Sequence, residues 1–349
     1  MATATLMDAV RAIEMSRRRM AVVVSDEGRL LGTLTDGDIR RCLLVGGSLE
    51  TVVALAMNPN PLTADWESPD GYLRDLMRCR NVLAVPLLDR AGNFVRMVHL
   101  TDLEQGDSIA SGAPPGFSFA VIMAGGEGMR LRPLTDEIPK PMVEIGGIPL
   151  LARQIERLAK VGIGRVYISV NYLSHIIEEY FGDGGNFGIE ICYLHEQEKL
   201  GTAGALGLLP EIPRGPIIVM NGDVLTNSDF DSFYAFHMSH GACVTVAAID
   251  HRVEIPYGVI RADGSLVTDL VEKPSERFLC NAGIYALSPA ALNWVPEGEF
   301  CNMTDIIAAG LTKKQTIAVF PIHEYWSDIG TPDDLEKARN HFARMELVK

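Results

Sequence analysis

The sequence predicts an α/β protein: a Rossmann-like mixed, mostly parallel sheet preceded by a small α+β unit. Three observations predict it. From residue 119 onward, short apolar runs alternate with stretches of helical apolar spacing, the pattern of strands and crossover helices in a parallel sheet. Residues 1 to about 105 contain an internal repeat, AVVVSDEGRLLGTLTDGDIRRCL at 21–43 echoed by AVPLLDRAGNFVRMVHLTDLEQ at 84–105. Between the two regions runs QGDSIASGAPPGFS, whose Gly, Ser and Pro content reads as a linker. The expected organisation is a first domain at 1–108, a linker at 109–118 and a second domain at 119–349.

In the first domain each repeat reads as strand, turn with Asp and Gly, strand, then the start of a helix. Helical stretches at 7–18 and 72–80 precede the two copies. This domain has no lysine, so its positive charge is all arginine, and that shift in composition supports a separate unit.

In the second domain the apolar run 119–123 reads as a buried strand. It opens into Ala124-Gly125-Gly126-Glu127-Gly128, followed by Arg130, Arg132 and Lys140 within Pro-Lys-Pro. Glycines after a strand let the backbone approach a ligand and adopt positive φ. Successive backbone N–H groups bind anions, and Arg and Lys add full charge. A triphosphate cradle is the simplest reading. It ends neither as a Walker loop nor as a dinucleotide fingerprint. An ordinary strand-to-loop turn would explain the glycines alone, but not Arg130 and Lys140 with them. Helices are then expected at 149–160, 174–181, 202–209 and 229–240. Strands are expected at 165–170, 189–194, 216–220 and 242–249, with β-structure at 253–287. A last helix opens at Thr331-Pro332, with Thr331 as N-cap.

The chain has 349 residues, a net charge of −14 and 22% charged residues. That acidity argues against broad binding to nucleic acid or anionic membrane. A phosphate ligand would have to be held by local positive charge. The six cysteines are scattered without a C-x-x-C pair, as reduced thiols of a cytoplasmic protein would be, and they argue against a zinc site. The N-terminus has no apolar leader pattern, and no stretch approaches membrane-spanning length.

The repeat, and Gly32-Thr33-Leu34-Thr35-Asp36-Gly37-Asp38-Ile39 in particular, resembles a tandem pair of cystathionine-β-synthase (CBS) motifs, a regulatory module. The resemblance implies a nucleotide effector whose ribose meets Thr35 and Asp38, with Asp102 as the counterpart in the second copy. That copy departs, with His99 where the first has a Thr. The competing reading makes Asp38 and Asp102 simple helix N-terminal residues.

GGEGMRLRPLT, PKPM, LGTAGAL, NGDV, VEKP, NAGIYAL and WSDIGTP follow in order over about two thirds of the chain. Together they resemble the sugar-1-phosphate nucleotidyltransferases, which have a GT-A-like fold. The resemblance implies transfer of a nucleoside monophosphate to a sugar 1-phosphate, with release of pyrophosphate. It implies Arg130, Lys140, Asp223 and Lys273 as catalytic residues and Asp223 and Asp328 as ligands to Mg²⁺. Ala124, Gly125, Gly126, Gly128, Glu196, Gly201 and Thr202 would bind the nucleotide. Gly258, Glu272, Asn281 and Gly283 would bind the sugar. Met129 departs from the family's usual Thr. For each Asp alone a turn or cap carboxylate is the blander reading, and for Glu272-Lys273 a buried ion pair.

Glu196 stands where related thymidylyltransferases tend to carry Gln. A carboxylate can accept from both N1–H and N2–H of guanine, whereas thymine and uracil offer one donor between two carbonyls. This favours GTP over dTTP or UTP, although Gln197 beside it could serve instead. The order of a CBS pair before such a domain resembles the glucosamine-1-phosphate guanylyltransferases of legionaminic acid biosynthesis. Mannose 1-phosphate and heptose 1-phosphate stay open, as does a non-catalytic sensor that keeps the fold. CBS pairs also imply a homo-oligomer.

Overall fold

The computed structural model describes residues 4–16, 20–80, 82–104 and 116–346. The chain divides into two compact units, Met1–Ala113 and Pro114–Lys349. Most of the expected linker lies outside the described residues. Phe117 and Ser118, assigned to it by composition, belong instead to the second unit. Phe117 is buried with its ring 5.2 Å from that of Tyr234, and Ser118 N donates to Pro216 O.

The first unit realises the repeat. Its first half is α1 (Leu6–Ser16), β1 (Met20–Val24), β2 (Leu30–Thr35) and α2 (Asp36–Leu44). Its second is β3 (Ala64–Asp65), α3 (Asp70–Arg80), β4 (Ala84–Leu88), β5 (Phe94–His99) and α4 (Leu100–Glu104). Strands β1 and β2 form one antiparallel hairpin, β4 and β5 another, and each half buries its own apolar cluster. The hairpin turns meet reciprocally. Phe94 N donates to Gly28 O and Leu30 N to Gly92 O, with Gly28 and Gly92 both at positive φ. Equivalent residues of the two copies, Arg29 and Asn93, thus form an antiparallel bridge.

The second unit holds β6 (Ala120–Met123), α5 (Leu150–Lys160), β7 (Arg165–Val170), α6 (Ser174–Phe181) and β8 (Glu190–His195). Then come β9 (Ile217–Asn221), β10 (Val224–Thr226), α7 (Phe230–Ser239), β11 (Val244–Glu254), β12 (Val259–Asp263), β13 (Leu266–Val271) and β14 (Ser275–Leu287). The chain closes with α8 (Met303–Thr312), β15 (Ile317–Ile322), β16 (Trp326–Asp328) and α9 (Pro332–Glu346). Among the described residues, seven strands form one sheet in the order β8-β7-β6-β9-β14-β11-β15. All neighbours pair parallel except those of β14, which runs antiparallel to both β9 and β11.

Strand alternation sorts the core onto the two faces. Ala120 and Ile122 of β6 join Leu151, Ile155 and Leu158 of α5 and Phe233 of α7 on one side. Phe119, Val121 and Val219 join Met303 and Ile306 of α8 on the other. Helix α8 and strands β15 and β16 are not among the elements expected from periodicity. Strand β15 carries Pro321 at the sheet edge, where a missing donor costs no ladder bond. The helix expected at 202–209 is instead a 3₁₀ segment, Gly204–Leu208. Its two glycines make a regular helix costly, and Gly201 beside it adopts φ +79°.

Candidate active site

The site lies where parallel strands β6 and β9 end, the place at which open α/β sheets bind ligands. A cleft of about 350 Å³ opens there. Of the residues expected from sequence, Ala124, Gly125, Gly126 and Gly128 line it from the loop after β6. Lys140, Glu196, Gly201, Thr202 and Asp223 line it from the surrounding loops.

The glycines have distinct steric reasons. Gly128 adopts φ +63°, and a Cβ there would lie 2.8 Å from Lys140 Cβ. A Cβ on Gly125 would lie 2.9 Å from Glu196 Oε1. One glycine therefore admits the lysine and the other the carboxylate. Buried Thr135 ties the loop down by donating from Oγ1 to Gly128 O at 2.8 Å.

Lys140 is only 9% exposed. Its Nζ lies 2.5 Å from Asp223 Oδ2 and 3.9 Å from Asp328 Oδ1. Tertiary pairing joins the two aspartates, which are far apart in sequence. Val224 of β10 registers with Asp328 of β16, and Ile329 N donates to Asp223 O. Burial, and then the nearby Asp223 carboxylate, raise the Asp328 carboxyl above the ordinary range, while Lys140 and Arg130 oppose the shift. Arg130 is exposed and does not line the cleft. It stands beside Gly330, whose added Cβ would be 3.4 Å from both terminal guanidinium nitrogens.

The donor set fits a hard divalent cation. Asp328 Oδ1 and Asn221 Oδ1 are buried acceptors with no hydrogen-bond partner. Two carboxylates held this close are what oxygen-coordinated cations neutralise.

Glu196 is anchored rather than loose. Ser169 Oγ donates to its Oε1, and Leu200 N donates to its Oε2 at 3.0 Å. Each carboxylate oxygen keeps a further lone pair for a ligand. The Thr202 hydroxyl works within the protein, accepting from Met303 N at 3.0 Å to cap α8.

The expected sugar-side residues lie outside this cleft. Glu272 and Lys273 follow β13 and are exposed, which excludes the buried ion pair, and Lys273 adopts φ +46°. Gly258 faces Glu272, since a Cβ there would lie 2.9 Å from Glu272 Oε2. Asn281 donates to Tyr285 Oη and accepts from Gly283 N. Gly283, at φ +69°, packs against Asn221, so it supports the turn that carries Asp223.

In the first unit Thr35 and Asp38 form a capping box on α2. Thr35 Oγ1 donates to Asp38 Oδ2 at 2.6 Å, and Asp38 N donates back to Thr35 Oγ1 at 3.2 Å. Thr331 and Asp334 make the same box at α9. The T-x-x-D pair thus has a structural role at the start of α2. Asp102 is exposed in the first turn of α4.

Sequence reasoning missed Lys199, Glu127, Asn221 and Phe300, all of which line the cleft. Lys199 Nζ pairs with Glu127 Oε1 at 2.7 Å, bridging the two loops, and this bond is the chief cause of the lowered Glu127 pKa. Both signals were visible in principle. Lys199 is a lone cation after Glu196-Gln-Glu, and Phe300 a lone aromatic in Glu-Gly-Glu-Phe-Cys-Asn.

An α/β sheet ending in a glycine-rich loop, a buried lysine and two facing aspartates has the chemistry to take phosphate groups and a cation. A nucleotidyl transferase family model matches residues 119–344, and the chain belongs to that family. A CBS domain model matches residues 2–45. The catalytic β subunit of mannose-1-phosphate guanylyltransferase from Danio rerio is 36% identical over 224 residues, 62% of each chain. Mannose-1-phosphate guanyltransferase from Schizosaccharomyces pombe is 36% identical over 225 residues, covering 62% of this chain and 61% of the relative. The chain thus spans about three fifths of the length of these curated relatives. A solved Bacillus anthracis structure, described as a glucose-1-phosphate thymidylyltransferase, covers 64% of this chain and 94% of its own. At 24% identity and a TM-score of 0.52, it speaks to the fold alone.

Proposed function

We propose that the protein transfers a nucleoside monophosphate from a nucleoside triphosphate, with GTP favoured, to a sugar 1-phosphate, releasing pyrophosphate. The observation that carries this is the meeting of Lys140, Asp223 and Asp328 beside the glycine-rich loop at the strand ends. A sugar phosphate oxygen forms the new bond to the α-phosphorus as the bond to the pyrophosphate oxygen breaks. No nucleophilic side chain is required, so positioning and neutralisation make up most of the catalysis.

Backbone N–H groups of 124–128 hold the phosphates. Arg130 draws off the leaving pyrophosphate. Lys140 orients the reacting phosphate while keeping the two aspartates apart from it. Asp223 and Asp328 would hold Mg²⁺, which supplies charge neutralisation between the two phosphate groups when bound. Lys273 and Glu272, with Gly258, Asn281 and Gly283, receive the sugar phosphate. Glu196 reads the guanine edge, beside Gly201 and Thr202.

The domain order favours glucosamine 1-phosphate as acceptor, for legionaminic acid or related surface glycans. Mannose 1-phosphate is the second reading, favoured by the names of the curated relatives. The first unit is a CBS regulatory domain joined through the linker that ends before Phe117, taking a nucleotide or nucleotide-sugar effector near Thr35, Asp38 and Asp102. Its coupling to activity would be about 1–3 kcal/mol. We place the enzyme in the cytoplasm as a homo-oligomer. Among the described residues no helix is long and apolar enough to cross a membrane.

The test is pyrophosphate release from a matrix of nucleoside triphosphates (GTP, dTTP, UTP) and sugar 1-phosphates (glucosamine, mannose, heptose, glucose) with Mg²⁺. GTP should be the best donor, and Asp223→Asn should abolish turnover. Absence of turnover across the matrix, or full activity in Asp223→Asn, would refute the proposal.

A further inference from the structure

The LGTAG segment at 200–204 does more than line the cleft, because it is the dock for a second segment at 299–302. Cys301 O accepts from Ala203 N at 2.9 Å and from Gly204 N at 3.1 Å, and Cys301 N donates to Leu200 O at 2.9 Å. Thr202 N donates to Asn302 Oδ1 at 3.3 Å, while the Thr202 hydroxyl caps α8 immediately beyond. The glycines make this approach possible. A Cβ on Gly201 would sit 2.6 Å from Cys301 O, and one on Gly204 would sit 2.6 Å from Glu299 O.

Cys301 is buried in the core by this docking, and Phe300 beside it faces outward, 63% exposed. The ring joins no apolar core cluster of this unit among the described residues. Phe300 nevertheless lines the cleft, the one aromatic to do so among the described residues. It also shares a framework with Glu196. Leu200 donates from N to Glu196 Oε2 and accepts at O from Cys301 N. One residue therefore links the Glu196 carboxylate to the segment that carries Phe300.

The geometry points to Phe300 as the stacking platform for the nucleobase, with Gly201 and Gly204 as positioning residues that hold its segment in place. This rests on the proposed nucleotidyl transfer. Every base has a π-face, so the platform supplies affinity for nucleosides as a class, while the Glu196 edge supplies the choice among bases.

Equilibrium titration of the full chain with GTP, and separately with tripolyphosphate, tests the assignment. The variants are Phe300→Leu, which keeps apolar bulk without the aromatic face, and Phe300→Trp, which keeps the face. Base–aromatic stacking is worth roughly 5- to 150-fold in affinity. Phe300→Leu should weaken GTP within that range, leave tripolyphosphate binding unchanged, and melt with the parent protein because no core contact is lost. Phe300→Trp should restore GTP affinity. Unchanged GTP affinity in Phe300→Leu overturns the platform, as does equal weakening of both ligands. A raised KM for sugar 1-phosphate alone also overturns it, assigning the ring to the sugar. Failure of the parent protein to bind either ligand overturns the transferase reading along with it.

Discussion

Replacing Lys140 with Met is the most searching perturbation of the site. The side chain is nearly buried, and its ammonium stands 2.5 Å from Asp223 and 3.9 Å from Asp328. Met keeps much of the volume but removes the charge, leaving two facing carboxylates with no cation between them. Removing one partner of a buried ion pair costs about 3–5 kcal/mol. Asp223 and Asp328 keep 25% and 43% of their side chains exposed, which places the cost near the lower end. At about 3 kcal/mol, a unit of this size should melt roughly 6–12 °C lower. A divalent cation binding the same carboxylates should restore more stability to Lys140→Met than to the parent protein, because in the parent it competes with the ammonium. Calorimetric melting with and without Mg²⁺ reads both effects. A variant that melts within about 2 °C of the parent, or an equal Mg²⁺ response in the two proteins, would refute the reasoning.

Two further outcomes follow from other residues. His237 is buried between Thr245 Oγ1 at 2.8 Å and Ser288 Oγ at 3.0 Å, and burial lowers its pKa to about 4. Its unfolded value is about 6.5, so the unfolded chain takes up the proton first. The contribution is therefore complete above pH 6.5, is lost as pH falls towards 4, and totals about 3 kcal/mol over that window. Chemical denaturation across pH 4–7 should show this slope in the parent protein and lose it in His237→Asn; identical slopes would contradict it. In the first unit, Thr35→Ala should cost about 1 kcal/mol of local stability through loss of the α2 cap, with Thr35→Ser close to neutral. A denaturant midpoint unchanged by the alanine would mean that the capping box contributes nothing.

What the sequence determined by itself was whatever local patterning controls. Periodicity located most strands of the main sheet, and the repeat located both hairpins of the first unit. The strand-loop motifs placed Gly125, Gly128, Lys140 and Asp223 around one cleft. Meetings between distant segments came from packing and pairing in three dimensions. Asp328 reaches Asp223 because β16 pairs with β10, across about a hundred residues. The glycines of LGTAG are needed because 299–302 packs on them, so the reason for each glycine lies outside its own motif. Lys199 pairs with Glu127 across the cleft, a contact that no spacing along the chain encodes. Thr35-x-x-Asp38 resembles a ligand motif in sequence, and in three dimensions the same pair also closes the capping box of α2, because a hydroxyl and a carboxylate three residues apart at a helix start lie within hydrogen-bond reach. Local chemistry is legible along the chain because its partners lie within a few residues. Sites assembled by non-local pairing are not, because the partner of each side chain is set by sheet register and packing.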